Sequence, residues 1–371
     1  MLKYFEVTGF KNFREKISID FSNTRDYKFN GQCLKNGLIK NAIFYGKNAS
    51  GKTNFGLALF DIVAHLTNNN VTPTLYDSYL NTANSHGSAS FKYVFLLGGS
   101  VVIYAYAKEE NHNLLYESLT MNGNLLMETD FNGNGKVSNY LKAIIPTLNW
   151  TLIDRSESML KYLFHNSLLE KDHPLMQLRE FVANMLWFRS LDDKRFIGYK
   201  SNAKDYLTFL VEEPSLVQEF QGMLRSAGIP MLLSVELDVD GKKRLYYAPD
   251  YDPLGKLPFH STASSGTAAL YHYYYWKKTA PNISFLYIDE FDAYYHFELA
   301  EAMQRELQQL NAQVIVTTHN TNLLTNRIMR PDCYFVLTEN GRLTSIADAS
   351  QRELREGHNL EKLYMSGEFD E

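Results

Sequence analysis

Cysteine is nearly absent from this chain of 371 residues: Cys33 and Cys333 stand alone, 300 positions apart. That spacing fits neither a metal knuckle nor a redox motif, so two buried or idle thiols in a reducing compartment are expected. Glycine and proline are also scarce, at 21 and 10 residues, which argues against a long low-complexity region. No apolar run approaches the ~18 residues of a membrane span. The opening MLKYFEVTGFKNFREK has no apolar leader core and no cleavage site, so a cytoplasmic protein with no membrane partner is expected. Neither sign of charge prevails: 37 basic against 42 acidic residues leave −5, so the global cationic pull of a nucleic-acid coat is missing. No heptad pattern is long enough for a coiled-coil arm, and there is no internal repeat. No Asn/Thr-Lys-x-Asp motif occurs, which argues against a GTPase.

What is present is ordinary globular material rich in aromatics. Apolar residues make up 45% and aromatics 14%, and the length suggests two structural units. Alternating apolar positions predict a hairpin around Gly9. Strand pairs are predicted at 91–97 with 101–107, and at 114–121 with 125–128 across Asn122-Gly123-Asn124. Residues 139–228 read as mostly helical, and 231–248 return to strand character. Toward the end, a helix (268–278), a buried strand (283–289), an amphipathic helix (298–310), another apolar strand (314–318) and a hairpin across Asn340-Gly341 follow in turn. Strands alternating with helices predict a parallel α/β core.

Residues 46–53 read Gly-Lys-Asn-Ala-Ser-Gly-Lys-Thr, the full G-x-x-x-x-G-K-[ST] pattern. Gly46 and Gly51 let the backbone curl where a Cβ would obstruct it. The loop amides then face an anion at a helix N-terminus. Asn48, Ser50 and Asn54 complete the cradle, Lys52 reaches toward the β- and γ-phosphates, and the Thr53 hydroxyl suits Mg²⁺. A strand before the first glycine and a helix after the lysine form the context that supports the motif.

The segment Ile283–Glu290 runs an apolar strand into two carboxylates, which is costly unless they serve a metal or substrate. Asp289 is the expected Mg²⁺ partner and Glu290 the expected base for an attacking water. His319 ends the next apolar strand, 29 residues after Glu290, where a neutral imidazole would position water and sense phosphate. Ser264-Ser265-Gly266 open a predicted helix. Its hydroxyl and amides form either a second phosphate-binding element or a plain helix cap.

In order and spacing, these four elements resemble the ABC-type ATPase heads of the SMC, Rad50 and RecF group. More closely, the chain resembles the single-head AAA-type ATPases of bacterial anti-phage systems, the RloA/AbiL-type and OLD-related proteins. The start Gly9-Phe10-Lys11-Asn12-Phe13-Arg14, the block from Asp289 to Ala293 with His296, and the ending from Gly357 to Tyr364 carry the closer likeness, over about half the chain. The signature here is Ser-Ser-Gly-Thr where the group has Ser-Gly-Gly-Gln, and Phe297 stands where proline is frequent.

The resemblance implies a P-loop ABC-type head with a mixed sheet core, an antiparallel β subdomain and an inserted, mainly helical lid or arm. The head is expected at 1–130 and 255–371, and the insertion at 131–254. ATP and Mg²⁺ are the implied cofactors, with Lys11, Asn12 and Arg14 near the nucleotide. Two heads are implied to sandwich two ATP molecules, with Ser264, Ser265 and Gly266 acting in trans as a timed clamp. The implied function is a nucleotide-gated sensor or scaffold in anti-phage defence, with a separate toxin or nuclease as effector. A RecF-like DNA-repair ATPase and a non-hydrolysing assembly module are the competing readings. An intact Glu290 argues against the last. A basic cluster (Arg189, Lys194, Arg195, Lys200, Lys204) offers either a site for nucleic acid or an acidic partner, or a solvated charged face.

Overall fold

The computed structural model describes residues 1–67, 69, 73–83, 87–110, 113–131, 135–146, 155–167, 169–190, 192–199 and 206–369. Two seven-stranded sheets dominate. One is antiparallel throughout, with strands ordered 135–137, 124–129, 114–121, 100–108, 89–97, 2–8 and 17–20. Its strands alternate buried with part-exposed positions, as at Ala89–Leu97, because one face meets the core and the other meets water.

The second sheet is mixed. Its order is 192–198, 185–189, 285–289, 313–317, 41–45, 334–337 and 343–345. The central five strands run parallel and the two edges antiparallel. Strands Asn41–Tyr45, Phe285–Asp289 and Gln313–Thr317 are buried at every position, the mark of a sheet covered on both faces.

The helix after the phosphate loop, Lys52–Leu59, sits between the sheets and is apolar nearly all round. Phe55 packs on Phe5 of the antiparallel sheet at 5.6 Å and on Phe44 of the mixed sheet at 5.5 Å. Tyrosines grip the helix: Tyr287 Oη donates to the Lys52 carbonyl, Tyr76 to Leu57 and Tyr93 to Ala58. The aromatic richness therefore serves this layer. Gln313 also bridges the sheets, accepting from the Leu2 amide at 2.6 Å and donating to the Leu2 carbonyl at 2.8 Å.

The continuing helix Asp61–Leu66 carries two buried polar groups. Asp61 pairs with Lys108 at 2.8 Å and accepts from Tyr79 and Tyr106. His65 stacks on Tyr106 and bonds Tyr104, which donates to Glu117, and Glu117 in turn caps the helix Met159–Asn166. Burial, then the Lys108 charge, pushes His65 well below the ordinary value of 6.5. A histidine depressed in the fold contributes stability above its unfolded value and loses it as pH falls below that value. Denaturation midpoints are therefore expected to drop from pH 6.5 downward, and His65→Phe is expected to flatten that slope. An unchanged slope in the variant would assign the acid sensitivity elsewhere.

Residues 139–228 depart from their helical expectation. Helices Asn139–Ile144, Met159–Asn166, Pro174–Ala183 and Pro214–Ser226 are present, but Met185–Arg189 and Asp192–Gly198 are strands of the mixed sheet. The sheet thus takes strands from inside the segment 131–254. The apolar run Met-Leu-Trp-Phe follows a helix directly, and periodicity cannot tell so short a run from a helical turn. Two short strands, Leu38–Ile39 and Asn41–Tyr45, are separated by Lys40. Cys33 and Cys333 are both buried and free, and the Cys333 thiol donates to the Asp332 carboxylate. Among the described residues, no helix is long and apolar enough to cross a membrane.

Candidate functional site

The phosphate loop leaves the mixed sheet at Tyr45 and enters the sandwiched helix at Lys52. Gly46 has φ +154°, and a Cβ there would meet the Leu337 carbonyl oxygen at 2.5 Å. Gly51 has φ +105°, and its Cβ would meet Asn12 Nδ2 at 2.5 Å. Positive φ favours glycine at both positions. The helix starts without a side-chain cap, so its first amides are open to an anion. Lys52 folds onto the loop, donating to the Gly46 and Lys47 carbonyls at 2.7 and 3.1 Å. Burial lowers its pKa, while Asp289 and Glu290 pull it back up. The Ser50 hydroxyl is buried without a hydrogen bond.

Asp289 ends its strand fully buried. Its Oδ2 accepts from the Thr53 hydroxyl at 2.7 Å and its Oδ1 from Thr317 at 2.8 Å. Burial pushes the carboxyl up, against those hydroxyls and the Arg189 charge. Glu290 follows at φ +51°, a left-handed backbone held by its amide on Thr317 Oγ1 at 2.7 Å. Such strain in a residue other than glycine is typical of functional positions. Asp292 is buried on Thr318 at 2.6 Å, with its second oxygen unpaired. His319 lies exposed at the strand end beside them, and its ring makes no hydrogen bond among the described residues. Partial burial and then the Lys52 charge lower its pKa, which favours the neutral imidazole.

Two clefts flank the loop. One, about 320 Å³, runs between Asn12–Ser18 and the 339–343 turn. The other, about 380 Å³, lies between Gly46-Lys47, the 336–340 turn and Tyr364-Met365. Asn12 reaches the loop, accepting from Asn54 at 2.8 Å and donating to the Ser50 carbonyl at 3.4 Å. Arg14 lines the first cleft and lies 3.6 Å from Glu15. Lys11 is not brought in: its ammonium is held by the Asp77 carbonyl at 2.6 Å. Asn48 is exposed on the loop.

The second predicted element stands apart. Ser264 caps the helix Ser265–Thr279, its Oγ accepting from the Thr267 amide at 3.3 Å. Ser264 and Ser265 are exposed, and Gly266 lies against the Tyr294 carbonyl, 3.0 Å from where a Cβ would sit. Among the described residues, no hydrogen bond joins these three to the phosphate loop. His296 caps the helix Phe297–Leu307 through its Nδ1.

A family described as "AAA domain, putative AbiEii toxin, Type IV TA system" matches residues 42–325, from the phosphate-loop strand to beyond His319. The chain belongs to this family. Curated proteins yield no match to this AAA-domain chain. Among solved structures it is similar to the SMC head domain from Thermotoga maritima, at 15% identity and a TM-score of 0.45, covering 93% of this chain and 98% of that one. It is also similar to an Smc head bound to the C-winged helix domain of ScpA, at 14% identity and a TM-score of 0.47, covering 93% and 97%. A Pyrococcus furiosus Smc head bound to the C-terminal domain of ScpA gives 12% and 0.45, covering 94% and 97%.

In this AAA domain Lys52 and Thr53 open the helix after the phosphate loop, while Asp289, Glu290, Thr317 and His319 lie at or just beyond strand ends. The expected α/β class, with a mixed core sheet and an antiparallel subdomain, is what the chain adopts. The cradle closed to any Cβ and the open helix amides fit phosphate, and the Thr53 and Asp289 oxygens fit a hard cation.

The sequence placed Arg189 in a basic cluster but not beside the acidic pair. Arg189 ends its strand in register with Asp289 and donates to Glu290 Oε2 from Nη2 at 2.7 Å and Nε at 3.1 Å. The available signal was an apolar run of strand length ending in a charge, because ligands gather at the carboxyl ends of parallel strands. Of the remaining basic cluster, Lys200 and Lys204 and the side chains of Lys194 and Arg195 lie outside the described residues.

Proposed function

We propose that the chain binds and hydrolyses Mg·ATP as a nucleotide-gated switch. Two copies close over two ATP molecules and hold a separate effector, a toxin or nuclease, in bacterial anti-phage defence. One observation carries the reading: the hydroxyl of Thr53 lies 2.7 Å from Asp289, with Glu290 next in the chain. This joins the phosphate loop to an acidic pair at one point. Thr53 and Asp289 would hold Mg²⁺, which when bound neutralises charge on the phosphates.

The chain's own groups then divide the work. Lys52 exchanges its loop carbonyls for phosphate oxygens. Glu290 takes the proton of the attacking water. Thr317 fixes the acidic pair by bonding both the Asp289 carboxylate and the Glu290 amide. His319 orients water or phosphate as a neutral ring. Asn12, Arg14, Asn54 and the adjoining clefts take the ribose and base. Ser264 and Ser265, exposed at a helix start with Gly266 half-buried beside them, would meet the nucleotide of a second copy. The toxin–antitoxin wording of the family description supports the defence setting.

Light scattering tests the switch. Mg·ATP is expected to double the mass of the Glu290→Gln chain, and Ser265→Arg in the same chain is expected to prevent it. An unchanged mass with ATP would remove the sandwich. Tight, ATP-dependent, salt-sensitive binding of duplex DNA in a gel shift would replace the scaffold with a DNA clamp.

A further inference from the structure

We infer that Arg189 is an internal counter-ion that competes with the divalent cation and holds Glu290 inactive until Mg·ATP arrives. The inference rests on the reading of Asp289 and Glu290 given above.

The geometry starts from the sheet. Met185–Arg189 and Phe285–Asp289 run parallel, so both chains end together and Arg189 faces Asp289 across the ladder. The Ser190 amide continues the pairing by donating to the Asp289 carbonyl at 3.0 Å. The guanidinium therefore has little choice of place. Two of its nitrogens hold Glu290 Oε2, and Nε lies 3.8 Å from Asp289 Oδ2. That Asp289 oxygen is also the one that accepts from Thr53. The cation of the side chain thus stands beside the oxygens proposed for the metal.

Two consequences follow. Two N–H donors converge on Glu290 Oε2 and take its lone pairs, so that oxygen is not offered to an incoming water. A divalent ion on Asp289 Oδ2 would also sit within a few ångströms of the guanidinium. Like charges that close repel strongly where water is partly excluded. The two cations exclude each other. Metal and nucleotide binding displaces Arg189, and its departure frees Glu290. Loading of the site and release of the base become one event, which suppresses idle proton abstraction. Arg189 is a positioning residue here, acting through Glu290 and Asp289.

Arg189→Ala tests this, with Arg189→Lys as the conservative partner. In the nucleotide-free protein, Mg²⁺ alone is expected to raise the melting temperature of Arg189→Ala more than that of the parent, because the metal takes the vacated place. The Mg²⁺ concentration that half-saturates binding of a fluorescent ATP analogue is expected to fall about tenfold in Arg189→Ala and less in Arg189→Lys. At sub-saturating Mg²⁺ the turnover of Arg189→Ala exceeds that of the parent, and the difference shrinks as Mg²⁺ saturates. Equal Mg²⁺ responses in parent and Arg189→Ala, or weaker Mg²⁺ dependence in the parent, would overturn the inference. If the parent hydrolyses no ATP but the metal responses differ as stated, the functional reading falls and the counter-ion stands. If the parent hydrolyses ATP and the metal responses are equal, the counter-ion alone falls.

Discussion

Glu290→Gln is expected to lower ATP turnover by about 10²–10⁴-fold, the usual cost of losing a positioned general base. Nucleotide affinity stays within a few-fold of the parent. The side chains have the same shape, but the amide cannot take a proton from water. The features that place residue 290 lie in the backbone and remain. Its amide stays on the Thr317 hydroxyl at 2.7 Å, and its φ of +51° costs Gln about what it costs Glu. The lost partner is Arg189, a part-exposed ion pair worth on the order of 1 kcal/mol or less, so the fold survives. Lys52, Thr53 and Asp289 are untouched, so Mg·ATP still binds and the closed dimer accumulates. Phosphate release together with a fluorescent-nucleotide titration checks both halves. Parental turnover in the variant would remove Glu290 as the base.

The most legible parts of the site were those where backbone and chemistry impose a fixed residue type. Gly46 and Gly51 are favoured by positive φ, and Gly46 also by the Leu337 carbonyl 2.5 Å from where a Cβ would sit. Asp289 and Glu290 were visible because a buried strand rarely ends in carboxylates without a use. The large sheets followed from strand alternation and the Asn-Gly turns. Arg189 was visible only as a charge ending an apolar run, because its place beside Asp289 comes from register with a strand 100 residues away. For Lys11, expected near the nucleotide, the structure shows a turn at φ +47° and an ammonium held by the Asp77 carbonyl.

Gly56→Ala is expected to destabilise the protein by about 1–3 kcal/mol, the usual cost of overpacking, although alanine is the better helix former by about 1 kcal/mol. Gly56 sits inside the phosphate-loop helix. A Cβ there would lie 2.7 Å from Tyr287 Cε1 and 2.8 Å from Trp187 Nε1, both in fully buried rings. Neither ring can retreat cheaply, because Tyr287 also holds the Lys52 carbonyl at 2.7 Å. The easier response is for the helix to lift from the sheet. That lengthens the Thr53–Asp289 contact, so nucleotide affinity falls along with stability. Gly222 provides the control. It lies in the helix Pro214–Ser226 with nothing within 4 Å of its Cβ position, so Gly222→Ala is expected to stabilise by up to about 1 kcal/mol. Urea denaturation of the two variants should give opposite signs. A stabilising Gly56→Ala would mean that the helix is not pressed on Trp187 and Tyr287. The two strands that end in Arg189 and Asp289 would then not be coupled to the phosphate loop through this contact.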